Sequence, residues 1–173
     1  MQQLMILRHA KAEQWYPGAE DFPRALREVG REHAARVAAW ICEHQYLPDE
    51  VLCSPSQRTR ETLAPLLAMR PDLDARTNFV PQIYGASTRT LVMLLDRAFA
   101  DNDRILMVGH NPGFEMLAFD VIAPSERRKL ERLPTGTLLV IELESGWPED
   151  VGHGRLVHFV RPKDLPNAER DRL

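Results

Sequence analysis

Three apolar runs in this chain each end on residues that can bind or attack an anion. Leu4-Met5-Ile6-Leu7 runs into Arg8-His9, Glu50-Val51-Leu52-Cys53 runs into Ser54-Pro55-Ser56-Gln57-Arg58, and Arg104-Ile105-Leu106-Met107-Val108 runs into Gly109-His110-Asn111-Pro112-Gly113. Guanidinium groups offer forked donors and a permanent charge that match a tetrahedral oxyanion. A neutral imidazole offers a lone pair, and histidine is an established covalent nucleophile. His9 is the natural candidate for that role, because neighbouring arginines disfavour its protonated form. A hydrogen bond from one ring nitrogen to a backbone carbonyl would aim the other at phosphorus. Taken singly, Arg8-His9 reads equally well as a strand end and His110-Asn111-Pro112-Gly113 as a turn. Their joint occurrence favours one shared cationic pocket at the carboxyl ends of three strands, where open α/β sheets bind ligands.

Four blocks in order carry a resemblance to a known family. They are Leu7-Arg8-His9-Ala10-Lys11-Ala12, Asp21-Phe22-Pro23-Arg24-Ala25-Leu26 with Gly30, Ser54-Pro55-Ser56-Gln57-Arg58-Thr59-Arg60-Glu61-Thr62, and Val108-Gly109-His110-Asn111-Pro112-Gly113. In these the chain resembles the histidine phosphatase superfamily, which also holds the phosphoglycerate mutases, and within it the small SixA-like phosphohistidine phosphatases. The resemblance implies that His9 is the nucleophile, that Arg8, Arg58 and His110 hold the transferred phosphoryl group, and that Arg24 assists. By type alone Arg24 would read as a solvated surface residue. Many members of the family protonate an alcohol leaving group with a carboxylate, whereas Gln82 stands near that place in Pro81-Gln82-Ile83-Tyr84. Glu61 and Asp21 are possible substitutes. An imidazole leaving group departs without such an acid, which favours phosphohistidine over a phosphate ester as substrate.

The 173 residues fit one domain, 1–173, with 44% hydrophobic and 27% charged residues. A net charge of −3 gives no reason to expect a nucleic-acid partner or a basic membrane-binding surface. Cys42 and Cys53 make neither a disulfide framework nor a zinc site and read as two buried thiols. His33 and His44 lack a metal partner one turn away, and His153 and His158 are expected on opposite faces of a strand. No metal or other cofactor is expected. The first apolar run is too short for a signal peptide, and no run approaches a membrane span, so a cytoplasmic setting is the default.

Strands must carry these residues and helices must cover the strands. Lys11 to Pro23 reads as a surface loop. Ala34, Val37, Ala38 and Ile41 put an apolar stripe on a helix over Leu26–Gln45. A second helix runs from about Ser56 to Met69, capped by Ser54 or Ser56, with Arg58 in its first turn and a kink or break expected at Pro65. Arg60 is expected to make an ordinary surface pair with Glu61. Asp74 to Val80 reads as a weaker strand. Ser87 caps a helix through Phe99 with Leu91, Leu94, Leu95 and Ala98 inward, and another helix past Pro112 carries Met116, Leu117 and Phe119. Pro124 to Pro134 is charged and solvated, with a short helix capped by Ser125. Thr137–Leu143 and Arg155–Val160 pair as a hairpin, and the tail from Pro162 is loosely held.

The alternation predicts an α/β fold, a three-layer α/β/α sandwich on a mostly parallel sheet. The resemblance implies the same phosphoglycerate mutase-like architecture, with a strand running opposite to the others. The function expected is hydrolysis through a phosphohistidine on His9, acting on a phosphohistidine-bearing protein. The alternatives are a phosphomonoesterase for a small phosphate ester and a non-catalytic phosphohistidine-binding module. A mutase is disfavoured, since no insertion is long enough to enclose a bisphosphate intermediate.

Overall fold

Residues 1–130 and 132–166 are described by the computed structural model of the chain. Six strands form one sheet in the order β3-β2-β4-β1-β5-β6. They are β1 Gln2–Arg8, β2 Glu50–Cys53, β3 Thr77–Phe79, β4 Arg104–Gly109, β5 Leu138–Leu143 and β6 Arg155–Val160. β1 is parallel to β4, β4 to β2 and β2 to β3. β5 pairs antiparallel with both β1 and β6, so β5 alone runs against the rest of the sheet.

The continuous apolar runs follow from burial on both faces. Leu4 and Ile6 of β1 enter one core with Leu91 and Leu95 of α3 (Thr88–Ala98) and Leu117 of α4 (Gly113–Val121). Met5 and Leu7 enter the opposite core with Val37 and Ile41 of α1 (Glu28–Glu43) and Leu63 and Leu66 of α2 (Gln57–Met69). Successive side chains of a strand point to opposite faces, so one run serves both layers. The result is the three-layer α/β/α sandwich expected.

Register decides where the site lies. Arg8 pairs with Gly109, and Cys53 with Val108. Three strands therefore end level, and the residues that follow each of them meet. Because β5 enters at that same end, the approach to it runs alongside. The amide of Gly136 donates to the carbonyls of Arg8 and His9, and that of Arg8 to the Thr137 carbonyl.

Several local expectations need correction. α2 passes through Pro65 without a break, because Leu63 and Leu66 anchor it to the core while Pro65 sits half exposed. Proline removes one backbone bond there, and packing outweighs it. The third strand is only Thr77–Phe79, since Pro71–Arg76 forms a 3-10 turn that buries Leu73. α4 carries Met116, Leu117 and Phe119 as expected; its inward residues are Phe114, Leu117, Ala118 and Val121, and Met116 and Phe119 face solvent. A helix apolar nearly all round hides its buried face from periodicity. Leu94 is only half buried, as is Cys42. Ser125 caps no helix; the helical turn among the described residues of the segment is the 3-10 turn Arg127–Lys129, preceded by Glu126. The tail is not loose at its start, because Pro162 is buried and Leu165 packs on the α1 side; the expectation beyond Pro166 lies outside the described residues. Among the described residues no helix is long and apolar enough to cross a membrane.

Candidate active site

His9 and His110 leave the ends of β1 and β4 as neighbours, their ring centroids 5.3 Å apart. Both are nearly buried, His9 at 7% exposure and His110 at 9%. Nδ1 of His9 lies 2.7 Å from the carbonyl oxygen of Ala10. A carbonyl only accepts, so Nδ1 carries the proton and the Nε2 lone pair is free. Burial lowers the His9 pKa to about 4; the Ala10 bond opposes this, while Arg58, Arg8 and Arg24 add to it. His110, with Nε2 2.8 Å from the Ser54 hydroxyl, is lowered to about 3, first by burial and then by Arg58 and His9. Both imidazoles are neutral at pH 7.

Arg58, in the first turn of α2, is 4% exposed. Its Nη1 donates to the Asp21 carbonyl at 2.8 Å and its Nη2 to Asp21 Oδ2 at 2.9 Å. Arg24 binds Oδ1 of the same carboxylate through Nε at 3.1 Å and Nη2 at 2.9 Å, and its Nη1 donates to the Glu13 carbonyl. The Tyr84 hydroxyl donates to Asp21 Oδ2 at 2.6 Å. Desolvation pushes the Asp21 pKa upward, but the bonds from Tyr84 and Arg58 and the charges of Arg58 and Arg24 outweigh it and hold the group at about 2. Arg8 is half buried and donates from Nη1 to the Leu133 carbonyl at 2.6 Å.

The five residues expected at the site, Arg8, His9, Arg24, Arg58 and His110, form one constellation. Among the described residues, buried Nε of Arg8, Nε of Arg58 and Nδ1 of His110 have no protein hydrogen-bond partner. Buried donors are rarely left unpaired. Here they belong to cationic or imidazole groups gathered around the neutral imidazole of His9, an arrangement able to receive a tetrahedral oxyanion.

The carboxylates weighed as acids are placed otherwise. Glu61 accepts from the Leu26 amide at 2.6 Å and from Gln57 at 2.9 Å, so it is a structural link between α2 and the loop. Asp21 is committed to two arginines and a phenol. Gln82 is exposed, in a hollow lined by Thr90, Met93, Leu94 and Arg97. Arg60 is exposed, its guanidinium 3.8 Å from the centroid of the Phe79 ring. Sequence reasoning missed Tyr84 and Leu133 as site residues, and saw no anchoring role for Asp21. The spacing of Asp21 and Arg24 was a usable signal. A backbone carbonyl such as that of Leu133 has none.

A family model described as histidine phosphatase superfamily (branch 1) matches residues 4–79. Protein Rv1276c of Mycobacterium tuberculosis, itself uncharacterized, is 30% identical over 165 residues, covering 91% of this chain and all of that protein. The solved structure of SixA from Agrobacterium tumefaciens superposes with a TM-score of 0.80 at 27% identity, over 93% of this chain and 98% of the other.

This chain belongs to the histidine phosphatase superfamily.

Within the family it resembles the SixA group. A structure of the protein histidine phosphatase SixA complexed with tungstate shares the fold as well, with a TM-score of 0.78 at 20% identity over 95% of this chain and 99% of the other. The matched residues 4–79 include Arg8, His9, Arg24 and Arg58 of this histidine phosphatase, while His110 comes from β4 beyond them.

Proposed function

We propose that the chain, as one histidine phosphatase domain spanning 1–173, hydrolyses a phosphohistidine borne on another protein, with His9 as nucleophile. The observation that carries this is the hydrogen bond from His9 Nδ1 to Ala10, which fixes the tautomer and frees Nε2. With its pKa near 4, almost every His9 is unprotonated at pH 7.

In the first step His9 Nε2 forms a bond to phosphorus as the bond from phosphorus to the substrate nitrogen breaks. When the far nitrogen of the substrate ring is protonated, the substrate leaves as neutral imidazole and no acid is needed at the departing atom. Water then attacks phosphorus, the His9–phosphorus bond breaks, and inorganic phosphate leaves. Arg8, Arg58 and the Nδ1–H of His110 hold the transferred oxygens, and Arg24 assists. In-line phosphoryl transfer is accelerated chiefly by positioning and charge stabilisation. Three guanidinium groups supply the positive charge, so the reading calls for no metal.

The choice of phosphohistidine rests on the disposition of the carboxylates. Glu61 and Asp21 are bound to other groups, and the Asp21 pKa near 2 leaves it no proton to give. A second reading, hydrolysis of a small phosphate ester, is favoured by Tyr84 alone. Its hydroxyl is a proton-bearing group at the rim, and its ring lies 5.4 Å from that of His110.

The experiment is phosphate release from a phosphohistidine-bearing phosphotransfer protein and from a panel of phosphate esters, by wild type and His9→Ala. Turnover of the protein substrate, lost in the variant, is the result expected. Turnover of an ester without any action on the phosphoprotein would establish the second reading instead.

A further inference from the structure

We propose that Glu115 is a positioning residue, latching residues 132–134 against the site so that the Leu133 carbonyl orients Arg8. The inference rests on the phosphatase reading above and assigns a function to the end of the charged stretch between α4 and β5.

Arg8 needs such a device. It has four rotatable side-chain bonds at the end of a strand, and ordering a chain of that kind is entropically costly. Its guanidinium is held by Nη1, 2.6 Å from the Leu133 carbonyl, while its Nε is buried without a protein partner. A shift of Leu133 therefore turns the whole planar group. Misplacement of about 1 Å in a transferring site costs roughly a hundredfold in rate.

Leu133 is itself fixed by Glu115. Oε2 of Glu115 accepts the Leu133 amide at 2.9 Å and Asn111 Nδ2 at 3.1 Å. The same Asn111 nitrogen lies 3.1 Å from the Leu133 carbonyl. One carboxylate oxygen, one amide and one peptide unit thus close a ring that ends on Arg8. The Leu133 side chain adds an apolar anchor, 1% exposed and in the same core as Phe114. Glu115 also supplies negative charge that favours the cationic form of Arg8 against desolvation.

A blander account exists. An acidic residue in the first turn of a helix is favoured by the helix dipole, and Glu115 lies in the first turn of α4. That account explains the charge but not the bonds, since any first-turn carboxylate would satisfy it while facing water. It also predicts a loss of stability unconnected to Arg8. Among the described residues, exposed Lys129 pairs with Glu126 at 2.8 Å and makes no hydrogen bond to a site residue.

The test is a double-mutant cycle between Glu115→Ala and Arg8→Ala. It is read by kcat/KM on the phosphoprotein or para-nitrophenyl phosphate and by affinity for orthovanadate, with Tm recorded for each variant. Glu115→Ala is expected to lower kcat/KM by about 10- to 100-fold and to weaken vanadate binding. In the Arg8→Ala background the same change should cost less than about twofold, because the residue it acts through is gone. Glu115→Gln, whose amide oxygen still accepts the Leu133 amide, should restore most of the activity. Glu115→Asp, one methylene shorter, should not, and it replaces Glu115→Ala if that variant fails to fold. Lys129→Ala should match wild type. A full and additive loss in the Arg8→Ala background overturns the proposal, as does wild-type activity in both Glu115→Ala and Glu115→Asp. Absence of wild-type turnover on every substrate would sink the phosphatase reading instead, and the vanadate cycle would then still decide whether Glu115 acts through Arg8.

Discussion

The buried guanidinium of Arg58 meets the carboxylate of Asp21 at 2.9 Å, and Arg24 reaches the other oxygen of that carboxylate at the same distance. One acid therefore aligns two of the three site arginines. Asp21→Asn keeps the size but turns an amide N–H₂ towards donors. It is expected to lower kcat/KM by about 10- to 100-fold. The same bond carries a pH signature. The Asp21 pKa falls from 3.8 to about 2 on folding, so its stabilisation is present above pH 3.8 and is lost as pH falls towards 2. Urea midpoints of wild type and Asp21→Asn should converge across that window.

The acid limb of activity tests the burial of His9. With the His9 pKa near 4 in the folded protein, its acid limb in kcat/KM should lie near pH 4 once the profile is corrected for ionisation of the substrate ring. A limb at pH 6.5 would mean a solvated imidazole. Stability follows with the same sign. Unfolded histidine takes up a proton near 6.5, whereas His9 and His110 resist until about 4 and about 3. Their contribution is complete above pH 6.5 and declines below it, so Tm should fall as pH drops through that range.

Gly30 tests the packing that seats the loop ahead of α1. A Cβ there would come within 2.1 Å of the Lys11 carbonyl oxygen, a backbone atom that also accepts the Arg27 amide. Gly30→Ala should cost about 1–3 kcal/mol of stability, read as a lower denaturation midpoint. An unchanged midpoint would contradict the close approach of Lys11 to the start of α1.

How much of this was legible beforehand depended on the range of the interaction. β2 and β4 were read to within a residue, because their short length and the turn residues that bound them decide between a buried strand and a piece of helix. That Arg8, His9 and His110 would lie close together was suggested by apolar runs ending at one edge of a parallel sheet, with Arg58 brought in from the first turn of α2. The helix break allowed for at Pro65 does not occur, because tertiary packing carries α2 through it. The partners of Arg58 and Arg8 were not legible. Asp21 and Arg58 are 37 residues apart, and Arg8 and Leu133 are 125 apart. In the second pair the acceptor is a peptide oxygen, which any residue type supplies.

The most direct measurement is the identity of the phosphorylated atom during turnover. The protein would be mixed with a phosphohistidine-bearing substrate, quenched in alkali within milliseconds, digested and mapped by mass spectrometry. Histidine–phosphorus bonds survive alkali and break in acid, which separates them from esters. Transient phosphate on His9, absent in His9→Ala together with turnover, is the result predicted. Steady turnover with no label on His9, or with label on another residue, would contradict it.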